Sequence, residues 1–263
     1  MIDLHIHSNY SDGTYSIEQI IETAKSLNLK QISITDHNIL KGSIEASKIS
    51  DIDFIVGTEL SVDYYGNEVH LLAYFPNPSD YKHTQFVINE GETYKKIAIM
   101  EMIEKLNDMG IDVNILELNK FAKGIINRVH ICMVMKEKGY ISSIQEGFEK
   151  YVGDDCEAFV ERKTVPLFEA IDAIHQDGGL AVIAHPYEYD KINLDDFFKD
   201  VIDKIDGIEC FHPSATSINS KHLVEIAESY NKLITGGSDF HGDNKPDIVL
   251  DMMSVDEKYR IKR

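Results

Sequence analysis

No apolar run in this 263-residue chain approaches the roughly 18 residues needed to cross a bilayer. Met1 leads straight into Ile2-Asp3-Leu4-His5 instead of a basic segment followed by a signal core, so a cytoplasmic location is expected and no membrane association. Cysteine is scarce: Cys132, Cys156 and Cys210 are odd in number and form no C-x-x-C pair, which excludes a disulfide framework or zinc ribbon and suits a reducing compartment. Basic charge is also in short supply, with 26 Lys and Arg against 45 Asp and Glu and a formal charge of −19. Such a field repels polyanions and argues against a dedicated duplex-DNA binder. A phosphate handled by this chain has to be attracted locally, and bound divalent cations are one means of doing so. What is present is ordinary for a soluble globular protein, 43% apolar and 27% charged, in a length that suits one large domain or two small ones.

Short apolar runs alternate with helical stretches, the pattern of an α/β fold with a largely parallel sheet. Strands are expected at Ile2–Ile6, Gln31–Thr35, Phe54–Thr58, Val69–Tyr74, Leu180–Ala184, Gly207–Phe211 and Leu233–Gly236. Ser16 is placed to cap a first helix in which Ile17, Ile20, Ile21, Ala24 and Leu27 recur at helical spacing, and further crossover helices are expected near 43–49, 166–176, 194–204 and 220–230. Seven strands with intervening helices point to a barrel. The alternation stops at Phe75-Pro76-Asn77-Pro78, and helical patterns follow at 93–109, 115–122, 128–138 and 144–151, with Gly110 ending the first of them. The expected organisation is a barrel from 1–83 and 163–263, with a helical insertion at 84–162 acting as a substrate cap.

The chemistry begins on the first strand. His5 and His7 are two residues apart, so a strand points both imidazoles to one side and Leu4 and Ile6 to the other. One metal ion can be shared by such a pair. Other candidates recur at later strand ends: Asp36 and His37 after the second, Glu59 after the third, His70 in the fourth, His185 after the fifth, and Asp239 and His241 after the last. Asp12, in the Ser11-Asp12-Gly13 turn, belongs to the same rim. In an α/β barrel the carboxyl ends of the strands converge on one face, which would gather these groups from across the sequence. Asp36 aside, nine imidazole and carboxylate side chains at one mouth suit a multi-metal site. Their mixed chemistry fits manganese, zinc or iron better than magnesium or calcium. His212 and Ser214 also end a strand on this side and are candidates to line the pocket, whereas His83, His175 and His222 have no partner motif and are expected to be solvated.

The motifs His5-x-His7, Ser11-Asp12-Gly13, Thr35-Asp36-His37, Gly57-x-Glu59, His70, Ala184-His185-Pro186 and Ser238-Asp239-x-His241 resemble, in order, those of the PHP family, named for polymerase and histidinol phosphatase. The resemblance implies a distorted (β/α)7 TIM-like barrel, a trinuclear metal site and phosphoesterase activity. Carried onto this chain, it gives His5, His7, Glu59 and Asp239 to a first ion. Glu59, bridging, goes with His70 and His185 to a second, and Asp12, His37 and His241 to a third. Asn127-Arg128-Val129-His130 is similar to a G-R-P-H-like stretch in the branch that acts on nucleotide 5′-phosphates and nucleoside 3′,5′-bisphosphates, with Asn127 and Val129 departing from it. The resemblance then makes Arg128 a bidentate phosphate clamp and His130 a second phosphate contact or proton donor, with His37 also facing substrate. Asp36 is the remaining catalytic candidate, an acid orienting a ligand or water.

The expected function is hydrolysis of phosphate monoesters on nucleotides or the 5′ ends of short oligonucleotides, by in-line attack of a hydroxide held between the first two ions. The expected partner is a small phosphorylated substrate. Histidinol phosphate is the alternative substrate. A non-catalytic PHP accessory module is the alternative of another class, and the completeness of the ligand set weighs against it.

Overall fold

The computed structural model describes residues 1–122, 126–253 and 255–263. The chain divides into two compact units, 1–88 with 165–263, and 89–164.

The first unit is a mixed α/β fold. In chain order it holds β1 (Ile2–Ile6), α1 (Ile17–Ser26), β2 (Gln31–Ile34), α2 (Lys41–Ile49), β3 (Asp53–Phe54), β4 (Val56–Tyr64) and β5 (Asn67–Phe75). After the second unit come α7 (Leu167–Gln176), β6 (Leu180–Ile183), α8 (Leu194–Val201), β7 (Gly207–Phe211), α9 (Ser217–Ser229) and β8 (Leu233–Gly236). α1 forms as its sequence dictates. Ser16 caps it by accepting from the Gln19 N–H, the Gln19 side chain answers at the Ser16 N–H, and Ile17, Ile20, Ile21 and Ala24 are its buried face.

Among the described residues the strands form a three-stranded sheet, β1-β2-β3, and a five-stranded sheet, β4-β5-β6-β7-β8. Isolated parallel bridges link them at Ile6–Phe240 and His37–Glu59. A core of Ile2, Leu4, Ile55, Leu72, Tyr74, Val182 and Ala184 draws side chains from both sheets, and Tyr74 Oη donates to the Leu4 carbonyl at 2.8 Å.

The expected largely parallel arrangement, with a helix between successive strands, is corrected at β5. This strand pairs antiparallel with both β4 and β6, and no helix separates it from β4. Tyr65 and Gly66 join the two at φ 48° and 85°, and a two-residue turn with both central residues left-handed matches the twist of a hairpin. The expected strand at 54–58 divides into β3 and β4, and β4 extends to Tyr64. Reversal of β5 has a consequence for function. Its first half lies beside the carboxyl ends of β4 and β6, so His70, paired with Ser61, stands near the residues that follow β6.

The second unit is helical. α3 (Lys82–Asp108) runs into it, followed by α4 (Ile115–Phe121), α5 (Arg128–Glu137) and α6 (Ile144–Gly147), the last continuing as a π turn over Phe148–Val152. It has its own apolar core, including Met102, Leu106, Leu118, Ile131, Val134 and Met135. Gly110 ends the long helix at φ 81°, a conformation glycine adopts without strain. Among the described residues, no helix is long and apolar enough to cross a membrane.

Candidate metal centre

β1 places His5 and His7 together, their Nε2 atoms 3.1 Å apart. Glu59, from β4, brings Oε2 to 3.2 Å from each of these nitrogens. Asp239, from the loop after β8, brings Oδ1 to 3.1 Å from His7 Nε2 and 3.5 Å from His5 Nε2. Two close contacts align this set. The Asp239 N–H donates to the His5 carbonyl at 2.8 Å, and Gly237 lies so near His5 that a Cβ on it would come within 2.4 Å of the His5 Cβ. Asp239 itself has φ 52° and His185 φ 25°, left-handed conformations uncommon outside glycine and most often retained at functional sites.

The other oxygen of Glu59 serves a second group. Oε1 is 2.9 Å from His70 Nδ1 and 2.9 Å from His185 Nε2, and those nitrogens are 3.3 Å apart. A third group forms around Asp12, whose Oδ2 is 3.3 Å from His241 Nε2 and 3.7 Å from His37 Nε2. His7 joins this group through Nδ1, 3.7 Å from Asp12 Oδ1, and His37 approaches Glu59 Oε2 through Nδ1 at 3.1 Å. The structure therefore brings all nine expected ligands together, and it places His7 and His37 between neighbouring groups.

Metal ions fit this donor set. Ligand atoms of His5, His7, Glu59 and Asp239 lie within 4.8 Å of one another, as do those of His7, Asp12, His37 and His241. Ligands about 2.1 Å from a tetrahedral ion stand about 3.4 Å apart, the scale of the contacts above. His7 Nδ1 and Glu59 Oε2 are buried atoms with no hydrogen-bond partner, a costly condition that coordination would relieve. The charges are strongly coupled in the absence of metal. Burial alone would raise the Glu59 carboxyl, but His5, His70 and His37 outweigh it and hold the group well below the usual carboxylate range. Burial works against protonation of His7, yet the hydrogen bonds it donates to the Asp239 and Glu59 carboxylates lift it to about 9, and the charge of Glu59 lifts His70 to about 10. For His37 burial prevails and lowers the group to about 4.

The remaining candidates are engaged by near neighbours. Asp36 accepts from Ser8 N–H at 2.7 Å, Ser8 Oγ at 2.6 Å and Ser11 Oγ at 2.7 Å, so its carboxylate is engaged by the turn that carries Asp12. Gly13 closes that turn by donating to the Ser8 carbonyl at 3.0 Å, and a Cβ on it would collide with the His7 carbonyl. Arg128 donates to Asp154 Oδ1 at 2.6 Å and the Val152 carbonyl at 3.1 Å, its guanidinium beside Phe148 and Phe159. His130 Nδ1 accepts from the Asn127 N–H at 3.0 Å, completing the cap of α5. His212 does reach the centre, with Nε2 3.4 Å from Asp239 Oδ2 and Nδ1 2.7 Å from Ser214 Oγ. His175 and His222 are exposed, but each has a partner, Asp206 and Tyr187.

Two neighbours of the centre were not singled out from sequence. Lys245 Nζ lies 2.5 Å from Asp239 Oδ2, and fully buried Glu209 contacts both His5 and His185. A lone acid inside the otherwise apolar strand Gly207-Ile208-Glu209-Cys210-Phe211 was the available signal for the latter.

This fold and donor set define a metal-dependent phosphoesterase, an enzyme. The chain belongs to the PHP domain family, which matches residues 3–153. It is similar to a 5′-3′ exoribonuclease of Haemophilus influenzae, 28% identical over 91% of this chain and 89% of the relative. It is likewise similar to a phosphoribosyl 1,2-cyclic phosphate 1,2-diphosphodiesterase of Eggerthella lenta, 27% identical over 91% of this chain and 94% of the relative. Among solved structures, one from Bifidobacterium adolescentis assigned to the metal-dependent phosphoesterases superposes with a TM-score of 0.76 at 25% identity, covering 98% of this chain and 93% of the other.

Proposed function

We propose that the protein hydrolyses phosphate monoesters of nucleotides, AMP-like or nucleoside 3′,5′-bisphosphates, or of the 5′ ends of short oligonucleotides, on a distorted barrel formed by its two bridged sheets. The observation that carries this reading is the convergence of nine imidazole and carboxylate side chains, among which His7 Nδ1 and Glu59 Oε2 are buried without a hydrogen-bond partner. The nucleic-acid chemistry named for the Haemophilus influenzae relative supports the substrate class.

His5, His7, Glu59 and Asp239 would hold one divalent ion, Glu59, His70 and His185 a second, and Asp12, His37 and His241 a third, the ions being manganese, zinc or iron. Bound there, they supply Lewis-acid stabilisation of phosphoryl oxygens and a nucleophilic hydroxide at neutral pH. The protein's own groups set where this happens. His5, His7 and Glu59 have side chains at most 1% exposed and keep that side dry, while Asp12 is 53%, His37 27% and His70 25% exposed. The phosphate enters on the Asp12, His37 and His70 side, with His37 facing it. Asp36 acts through the turn that carries Asp12. Arg128 and His130 contact phosphate, a role that requires Arg128 to exchange Asp154 for substrate.

A steady-state panel on manganese-loaded protein tests this, using AMP, adenosine 3′,5′-bisphosphate, a 5′-phosphorylated trinucleotide, phosphoribosyl 1,2-cyclic phosphate and histidinol phosphate. The nucleotides should give the highest kcat/KM. A preference for histidinol phosphate or the cyclic phosphate would overturn the substrate assignment, and hydrolysis of none would overturn the activity.

A further inference from the structure

We propose that Glu209 is a positioning residue that fixes the tautomer of His5 and ties it to His185, so that the affinity of the centre for metal depends on a side chain outside the nine ligands. This rests on the reading of the site as a metal centre.

Glu209 sits in the middle of β7 with no solvent exposure. Its two oxygens meet groups from two other parts of the chain. Oε1 is 2.9 Å from His5 Nδ1, and Oε2 accepts from the His185 N–H at 2.8 Å. An ionised carboxylate only accepts, so the hydrogen of a neutral His5 belongs on Nδ1. Nε2 is then left with its lone pair directed at the space shared with His7, Glu59 and Asp239. Histidine ligands are commonly oriented in this way by a carboxylate on the other ring nitrogen. The second bond reaches the main chain of His185 at its left-handed φ of 25°, where the backbone has to be held if Nε2 is to meet Glu59. One carboxylate thus aligns a ligand of the first group with a ligand of the second.

Replacement by glutamine separates the two bonds. An amide has one oxygen and one NH2, so it cannot accept from both His5 Nδ1–H and the His185 N–H. If the NH2 turns to His5, the tautomer reverses and Nε2–H faces the ligands. If it turns to His185, two donors oppose each other.

The test compares wild type, Glu209→Gln and Glu209→Asp by calorimetric titration with Mn2+, with kcat and KM for AMP measured alongside. In parallel, 15N-histidine spectra are recorded on zinc-loaded wild type. Glu209→Gln should bind metal about 10- to 100-fold more weakly, with kcat lowered and KM at saturating metal unchanged. Glu209→Asp, which keeps a carboxylate, should fall between. Wild-type His5 should carry its proton on Nδ1 and bind zinc through Nε2. Metal affinity of Glu209→Gln within twofold of wild type would overturn the proposal, as would zinc bound to His5 through Nδ1. If the glutamine variant does not fold, the wild-type spectra decide alone. Absence of metal binding by wild type would instead defeat the metal-centre reading itself.

Discussion

The ligands of this centre are held by residues that touch no metal position. Asp36 is one of them. Its carboxylate accepts three hydrogen bonds from Ser8 and Ser11, and Asp36→Ala would leave the buried Ser8 N–H without that acceptor. The expected loss is about 1–3 kcal/mol of stability in urea unfolding, together with weaker retention of metal by the Asp12 group. Unchanged stability would remove Asp36 from this role. Gly237 is another. A methyl group there meets His5, so Gly237→Ala should destabilise by about 1–3 kcal/mol and lower metal affinity, whereas an unaltered metal titration would show that β1 does not depend on this approach. His7 and His70 are lifted to about 9 and about 10 in the metal-free centre by their carboxylate partners. Metal must displace those protons, so affinity for Mn2+ should rise between pH 6 and 8.5 with protons released on binding; affinity flat across that range would contradict it. In metal-free protein the same raised values stabilise the fold fully below the ordinary histidine range, and this contribution is lost as pH rises through about 9 to 10. Chelator-treated protein should therefore melt at a lower temperature at pH 10 than at pH 7.

Among the elements, the β4–β5 hairpin decides how His70 is delivered. Gly66 has φ 85° with open space where a Cβ would stand, so the penalty of a side chain is conformational alone. Gly66→Ala should cost about 1–2 kcal/mol in urea unfolding, and Gly66→Asn less, since asparagine tolerates this region. Equal stability of all three would contradict the turn assignment. The hairpin also shows what the sequence did and did not disclose. β7 and β8 fall on the residues that periodicity indicated, because their apolar runs are short and bounded by turn residues. β5 was placed close to its observed position, but its direction was not legible. Tyr-Gly is a weak hairpin signal beside Asn-Gly, and alternation of strand and helix elsewhere implied a parallel neighbour. The ligand motifs were readable where the residues carry a local pattern, as in the alternating His5-x-His7 pair and the groups Asp12, His37, His185, Asp239 and His241 that follow strands. Glu209 was not, since its role arises only when β7 is set beside His5 and His185, contacts 204 and 24 residues away in sequence.

Across the whole molecule, the formal charge of −19 opposes an anionic substrate until it is close to the centre, and three divalent ions would leave the balance well negative. Raising ionic strength from about 10 to 150 mM shortens the reach of that field. The kcat/KM for a nucleotide should therefore rise with salt, whereas a steep fall would indicate an attractive field and contradict the picture of purely local capture.

On this reading, residues scattered from His5 to His241 form one metal-binding centre. A crystal of manganese-loaded protein, measured at the manganese absorption edge, tests it most directly. Anomalous peaks are predicted within the His5, His7, Glu59 and Asp239 group, between Glu59, His70 and His185, and beside Asp12, His37 and His241. Manganese absent from all three positions, in crystals grown at saturating metal, would contradict the account.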